Sequence, residues 1–127
     1  MDRIFIPTVN RVNQQITYSC LPDALKKKVT FVVQSWESEK YSFDADYLVL
    51  PPEINLDDYY CISKTRKFIY EAGQNFKYAV LDDDLHFKRR NSRYWKGVSN
   101  MSRSKAPCSD NDILEMFETF SKWLDES

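Results

Sequence analysis

Glycine is scarce in this chain, at 2 of 127 residues, and histidine occurs once. A disordered or linker-like segment would also be poor in aromatics, yet 15% of these residues are aromatic and 43% are hydrophobic. That composition excludes a chain unable to bury apolar surface. No apolar stretch is long enough to cross a bilayer. The N-terminal segment MDRIFIPTVN lacks the apolar core and small-residue cleavage site of a signal peptide. Cysteine is sparse too: Cys20, Cys61 and Cys108 are odd in number and form no CxxC pair. Free thiols in a reducing cytoplasm fit this spacing better than a disulfide framework. Charge of one sign is missing as well. A formal net charge of -1 argues against a strongly basic nucleic-acid coat, though it permits a local basic patch. What remains is enough chain for one compact domain over residues 1–127, with a real core and no room for a second.

The pattern of elements is α/β. Residues 3–6 read as a short buried strand closed by Pro7, which cannot donate to a ladder. Residues 14–28 read as helical, with a break at Pro22, and Lys26, Lys27 and Lys28 as a solvated helix end. Residues 29–33 form a β-branched strand, and residues 47–50 another, stopped by Pro51 and Pro52. A helix over 58–72 carries Ile62, Thr65, Ile69 and Ala72 on one stripe and ends at Gly73. Residues 77–81 make a fourth strand. The last helix opens at Ser109, with Asp110 and Asp112 as helix-start acids. Ile113, Met116, Phe117, Phe120, Trp123 and Leu124 line its apolar face. This alternation predicts a three-layer sandwich with a mostly parallel sheet, whose ligands bind beyond the carboxyl ends of the strands.

At one such end stand three consecutive carboxylates, Asp82, Asp83 and Asp84, directly after the apolar strand Tyr78-Ala79-Val80-Leu81. Their mutual repulsion would be relieved by Mg²⁺ or Mn²⁺, which prefer oxygen ligands and are typically held by one or two carboxylates plus substrate phosphates. In an extended chain Asp82 and Asp84 would face one ligand together, with Asp83 on the other side. The competing reading is an acidic turn without a ligand. His86 follows Asp84 in the same alternation and would approach the same cation, though a lone histidine is more often structural.

Three motifs in order carry a resemblance: Pro-Thr-x-x-Arg after the first strand, Ile-Ser-Lys-Thr-Arg-Lys-Phe-Ile on the helix, and Val-Leu-Asp-Asp-Asp at the fourth strand. Together they resemble the GT-A family of nucleotide-sugar glycosyltransferases. More narrowly, RIFIPTVNRVNQQITYSCLP and YAVLDDDLHFKRRN resemble the phage branch of that family that accompanies TET/JBP oxygenases. The resemblance implies a GT-A-like fold and a metal-dependent transfer from a nucleotide-sugar donor. It further implies hydroxymethylated pyrimidines in phage DNA as acceptors, reached in a bacterial or phage-infected host cytoplasm. Residue by residue, it implies that Pro7, Thr8, Asn10 and Arg11 cradle the base and ribose. Arg66 would reach the diphosphate, Asp82 with Asp83 would contact the nucleotide, and Asp84 with Asp82 would ligate Mn²⁺ or Mg²⁺.

Lys88, Arg89 and Arg90, followed by Arg93, Tyr94, Trp95 and Lys96, form a basic run interleaved with aromatics. Arg89, Arg90, Arg93 and Trp95 could hold a DNA backbone and stack an exposed base. An edge strand protected by charge explains the run equally well. Two other functions compete. A sugar-nucleotide nucleotidyltransferase would carry a Gly-rich loop, and PTVNRVNQQ has no glycine. A non-catalytic nucleotide- or DNA-binding module needs no general base, and no residue here is identified as one. GT-A domains usually run to about twice this length, so the resemblance leads to the expectation of a domain incomplete at its C-terminus.

Overall fold

In a computed structural model, described here for residues 1–90 and 105–126, four strands form one parallel sheet. They are β1 (Arg3–Thr8), β2 (Val29–Val33), β3 (Asp46–Val49) and β4 (Tyr78–Val80), in the order β3-β2-β1-β4. The helices are α1 (Ile16–Cys20), α2 (Asp23–Lys26), α3 (Cys61–Ala72) and α4 (Asp110–Glu126), with a 3-10 turn at Ser38–Lys40. A two-stranded antiparallel ribbon, β5 (Lys88–Arg90) with β6 (Lys105–Pro107), stands apart from the sheet.

Side-chain alternation explains the layers. Ile4, Ile6, Val29, Phe31 and Val33 point to one face, where they pack with Leu21 and Leu25 of the α1–α2 region and with Ile113 and Phe117 of α4. Phe5 and Val32 point to the other, against Leu50, Ile54 and Ile69 of α3. β2 is buried at every position, as a central parallel strand covered on both sides should be. Phe31 anchors the first face, with the rings of Tyr18, Phe43 and Tyr47 at 5.2, 5.4 and 5.7 Å. This is the expected three-layer α/β sandwich, and it is compatible with a GT-A-like fold.

Several details differ from the sequence reading. β1 does not close at Pro7 but runs through it to Thr8, with Pro7 opposite Val32. The reason is directional. Ile4 N–H donates to Lys28 on the β2 side at 2.9 Å, so Phe5 and Pro7 turn their backbone polar groups toward β4. The β1–β4 register ends at Phe5 opposite Val80, so Pro7 interrupts no residue pair on that side.

α3 starts at Cys61, because the preceding residues form turns pinned by Asp58, which accepts from the Tyr60 N–H at 2.8 Å. Its buried stripe narrows to Thr65 and Ile69; Ala72 is exposed and Ile62 is 70% exposed. Gly73 follows the helix with φ of -95°, not in a left-handed conformation. A Cβ there would stand 2.7 Å from the Tyr78 ring, so the close approach of β4 requires the glycine. On α4, Ile113 and Phe117 are buried and Met116 packs beside them, while Phe120, Trp123 and Leu124 remain exposed. Among the described residues no helix is long and apolar enough to cross a membrane, and Cys20, Cys61 and Cys108 are unpaired thiols.

Candidate functional site

Chain order places the site. The connection from β1 leads to β2 and β3 on one side of β1, and α3 then returns the chain to β4 on its other side. The carboxyl ends of β1 and β4 therefore flank the point where strand order reverses, the place where an open parallel sheet leaves a crevice. A cavity of about 410 Å³ opens there. Pro7, Thr8 and Arg11 line it from β1 and the loop after it, and Arg66 lines it from α3. Asp82 and Asp83 line it from the turn after β4. Six of the residues singled out in the sequence thus meet at one surface, from three segments of which the first and last lie about seventy positions apart.

The aspartate turn is built from outside itself. Thr17, fully buried in α1, donates its hydroxyl to the Asp82 carbonyl and accepts the Leu85 N–H at 2.8 Å. Its own N–H donates to the Asp83 carbonyl at 3.1 Å. These three bonds fold residues 82–85 out of the extended conformation, so the alternation expected of the carboxylates does not hold. Asp83 turns inward: Thr8 Oγ1 donates to its Oδ2 at 2.7 Å and Arg11 lies 3.4 Å from its Oδ1. Arg11 also reaches Asp84 at 3.5 Å. Asp84 is half exposed and does not line the cavity, whereas Asp82 does.

Two charged groups are left for a ligand. The Asp82 carboxylate and the Arg66 guanidinium, both exposed at the cavity, make no ion pair or hydrogen bond with any described residue. No three His, Cys, Asp or Glu side chains among the described residues are grouped to hold a metal by themselves. For a hard cation the described residues offer the unpartnered Asp82 carboxylate at the cavity and, outside its lining, the Asp84 carboxylate shared with Arg11 at 3.5 Å. One or two carboxylates completed by phosphate oxygens is the usual protein share of a Mg²⁺ site. Val32, Leu50, Leu56 and Ile62 form an apolar part of the lining, beside the polar Gln34 and Thr65.

Other expectations meet different outcomes. Asn10 does not line the cavity; it holds a positive φ of 58° and donates its N–H to Glu37 Oε1 at 2.8 Å. His86 lies not with the aspartates but in a separate hollow with Cys20 and Cys108. Arg89 stands on β5, 3.6 Å from Asp112 at the start of α4, which supports the reading of a charged ribbon strand. Arg93 and Trp95 lie outside the described residues, as does the side chain of Arg90.

Residues that the motifs did not indicate complete the site. Gln15 Nε2 donates to Thr8 Oγ1 at 2.8 Å and to the Arg11 carbonyl at 2.9 Å. Gln34, at the end of β2, is buried and lines the cavity. No spacing rule marks Thr17 or Glu37, whose contacts lie 65 and 27 positions away in sequence, whereas Gln15 acts within its own loop. A family model described as TET-Associated Glycosyltransferase matches residues 3–126. No curated protein and no solved structure matches the chain.

Proposed function

The chain belongs to the TET-associated glycosyltransferase family, and from that premise we propose that the crevice binds the nucleoside diphosphate part of a sugar donor together with Mn²⁺ or Mg²⁺. The observation that carries the reading is the pair of unpartnered opposite charges, Asp82 and Arg66, on the walls of one cavity at the strand-order switch. The apolar walls Val32, Leu50, Leu56 and Ile62 suit a nucleobase. The backbone between Pro7 and Arg11 suits the ribose.

In this reading Arg66 takes one face of the diphosphate and fixes its orientation, as a planar fork of N–H donors does well. Asp82 and Asp84 hold the cation. Asp83, committed to Thr8 and Arg11, keeps the turn in register and not the ligand. A bound Mn²⁺ or Mg²⁺ supplies positive charge where the departing diphosphate gains negative charge. Arg11, 40% exposed, is placed to exchange its carboxylate contacts for phosphate ones when the donor enters. A hydroxymethylated pyrimidine in DNA is the acceptor that the family suggests, and a cytoplasmic setting follows from it. Arg89, largely exposed on the ribbon, is the described residue placed for a backbone contact.

Calorimetric titration of nucleoside diphosphates and nucleotide sugars, with and without Mn²⁺, tests the reading. Binding is expected to require the metal and to be lost in Asp82→Ala. Arg66→Ala should weaken it by about tenfold, the worth of one charge-assisted contact. Binding indifferent to Mn²⁺ and to both substitutions would remove the proposal.

A further inference from the structure

Glu37 is 2% exposed, yet no described cation pairs with it. Its Oε1 accepts the Asn10 N–H at 2.8 Å, and its other carboxylate oxygen has no hydrogen-bond partner. Burying a carboxylate this way is costly, and a leucine would fill similar volume without that cost. Core packing therefore does not explain the residue. What a carboxylate does here that leucine cannot is accept a backbone N–H in a charge-assisted bond.

The N–H it accepts belongs to an unusual residue. Asn10 is the one non-glycine residue with positive φ among those described, at 58°. That conformation is uncommon outside glycine but costs asparagine least, so residue 10 permits the bend and the bond from its N–H is what can fix it. Asn10 sits between Thr8 and Arg11, the two residues that grip Asp83. Gln15 fixes the same loop from beneath, through the Thr8 hydroxyl and the Arg11 carbonyl. The Tyr41 hydroxyl, buried near Glu37 and Thr8, has no hydrogen-bond partner among the described residues and so does not share in holding the loop.

We infer that Glu37 is the positioning residue of this loop: through the Asn10 N–H it sets the reverse bend that aims Thr8 and Arg11 at the aspartate turn. The geometry of the inference stands on the loop alone, while its consequence for ligand affinity rests on the nucleotide-site reading above. Replacing Asn10 does not test it cleanly, because that also changes the backbone preference. Replacing Glu37 does.

Glu37→Leu and Glu37→Gln would be compared with the unsubstituted chain by amide hydrogen exchange at Asn10 and Arg11, by thermal midpoint, and by titration of the four common nucleoside diphosphates with Mn²⁺. Glu37→Leu should speed exchange at Asn10 about tenfold and weaken the tightest nucleotide by a similar factor, with the midpoint unchanged or raised. Glu37→Gln keeps an acceptor without its charge and should restore most of both, leaving about a threefold effect. A role in stability alone would move the midpoint and spare the affinity. Unchanged exchange at Asn10 in both variants overturns the inference, and so does a glutamine that restores nothing. Should Glu37→Leu not fold, Glu37→Gln decides: exchange at Asn10 equal to that of the unsubstituted chain overturns it. A chain that binds no nucleotide defeats the functional reading, and exchange at Asn10 then decides the positioning role separately.

Discussion

Among single residues, the aspartates show how one residue type takes three roles within one turn. Asp82 faces the cavity unpartnered, Asp83 is bonded to Thr8 and Arg11, and Asp84 shares Arg11 while half exposed. Three like charges in sequence identify a place where charge must be managed, but the hydroxyl of Thr17 decides which carboxylate faces where. Tyr41 gives the same lesson with a measurable consequence. Burial pushes its hydroxyl up to about 12 from an ordinary value of 10. Between those values the unfolded chain has lost the proton and the folded chain keeps it. Folding stability therefore declines as pH rises across that window. Tyr41→Phe removes this loss, so urea midpoints of the variant should fall less steeply from pH 9 to pH 11 than those of the unsubstituted chain. Parallel slopes would show that the hydroxyl is solvated instead.

Elements are fixed by their ends as much as by their faces. α4 opens with a reciprocal cap: Ser109 N–H donates to Asp112 Oδ2 at 2.9 Å, and Asp112 N–H donates to Ser109 Oγ at 3.2 Å. These bonds, backbone first and then the Ser109 side chain, hold the Asp112 carboxyl below its ordinary value of 3.8. The cap therefore contributes fully above that value and is lost as pH falls through the depressed one. Ser109→Ala should cost about 1 kcal/mol at neutral pH, read as a lowering of the thermal midpoint by about 4 °C. The helix it starts carries the Ile113–Phe117 contact that seals one face of the sheet. Its start was legible as Ser-Asp-Asn-Asp. The exposure of Phe120 and Trp123 was not, because periodicity marks an apolar face without saying how far a neighbour extends along it. The stripe on α3 errs the same way at Ile62, whose exposure follows from its place on the rim of the cavity.

At the scale of the molecule, the site exists because the sheet reverses its order between β1 and β4, which brings residues 7–11, 66 and 82–84 to one edge. The basic ribbon lies apart from that sheet. If DNA is the acceptor, the ribbon adds backbone contacts, and each cation removed should flatten the salt dependence of binding by about one unit of log–log slope. Arg89→Ala, measured by DNA binding across a salt series, is expected to show that change. A slope equal to that of the unsubstituted chain would assign Arg89 to its ion pair with Asp112 at 3.6 Å instead.

The sequence by itself determined the alternating elements, the two faces of the sheet and the strand-end location of the aspartates, because periods of two and 3.6 residues and the punctuation of Pro and Gly act locally. Only the tertiary structure decided that Pro7 continues its strand, that Asp82 rather than Asp84 lines the cavity, and that His86 belongs elsewhere. It alone also brought Glu37 to the loop and Thr17 to the turn that they hold. The physical reason is common to all of these. A hydrogen bond depends on which groups meet across distant segments, and that is settled when the strands pair and not before.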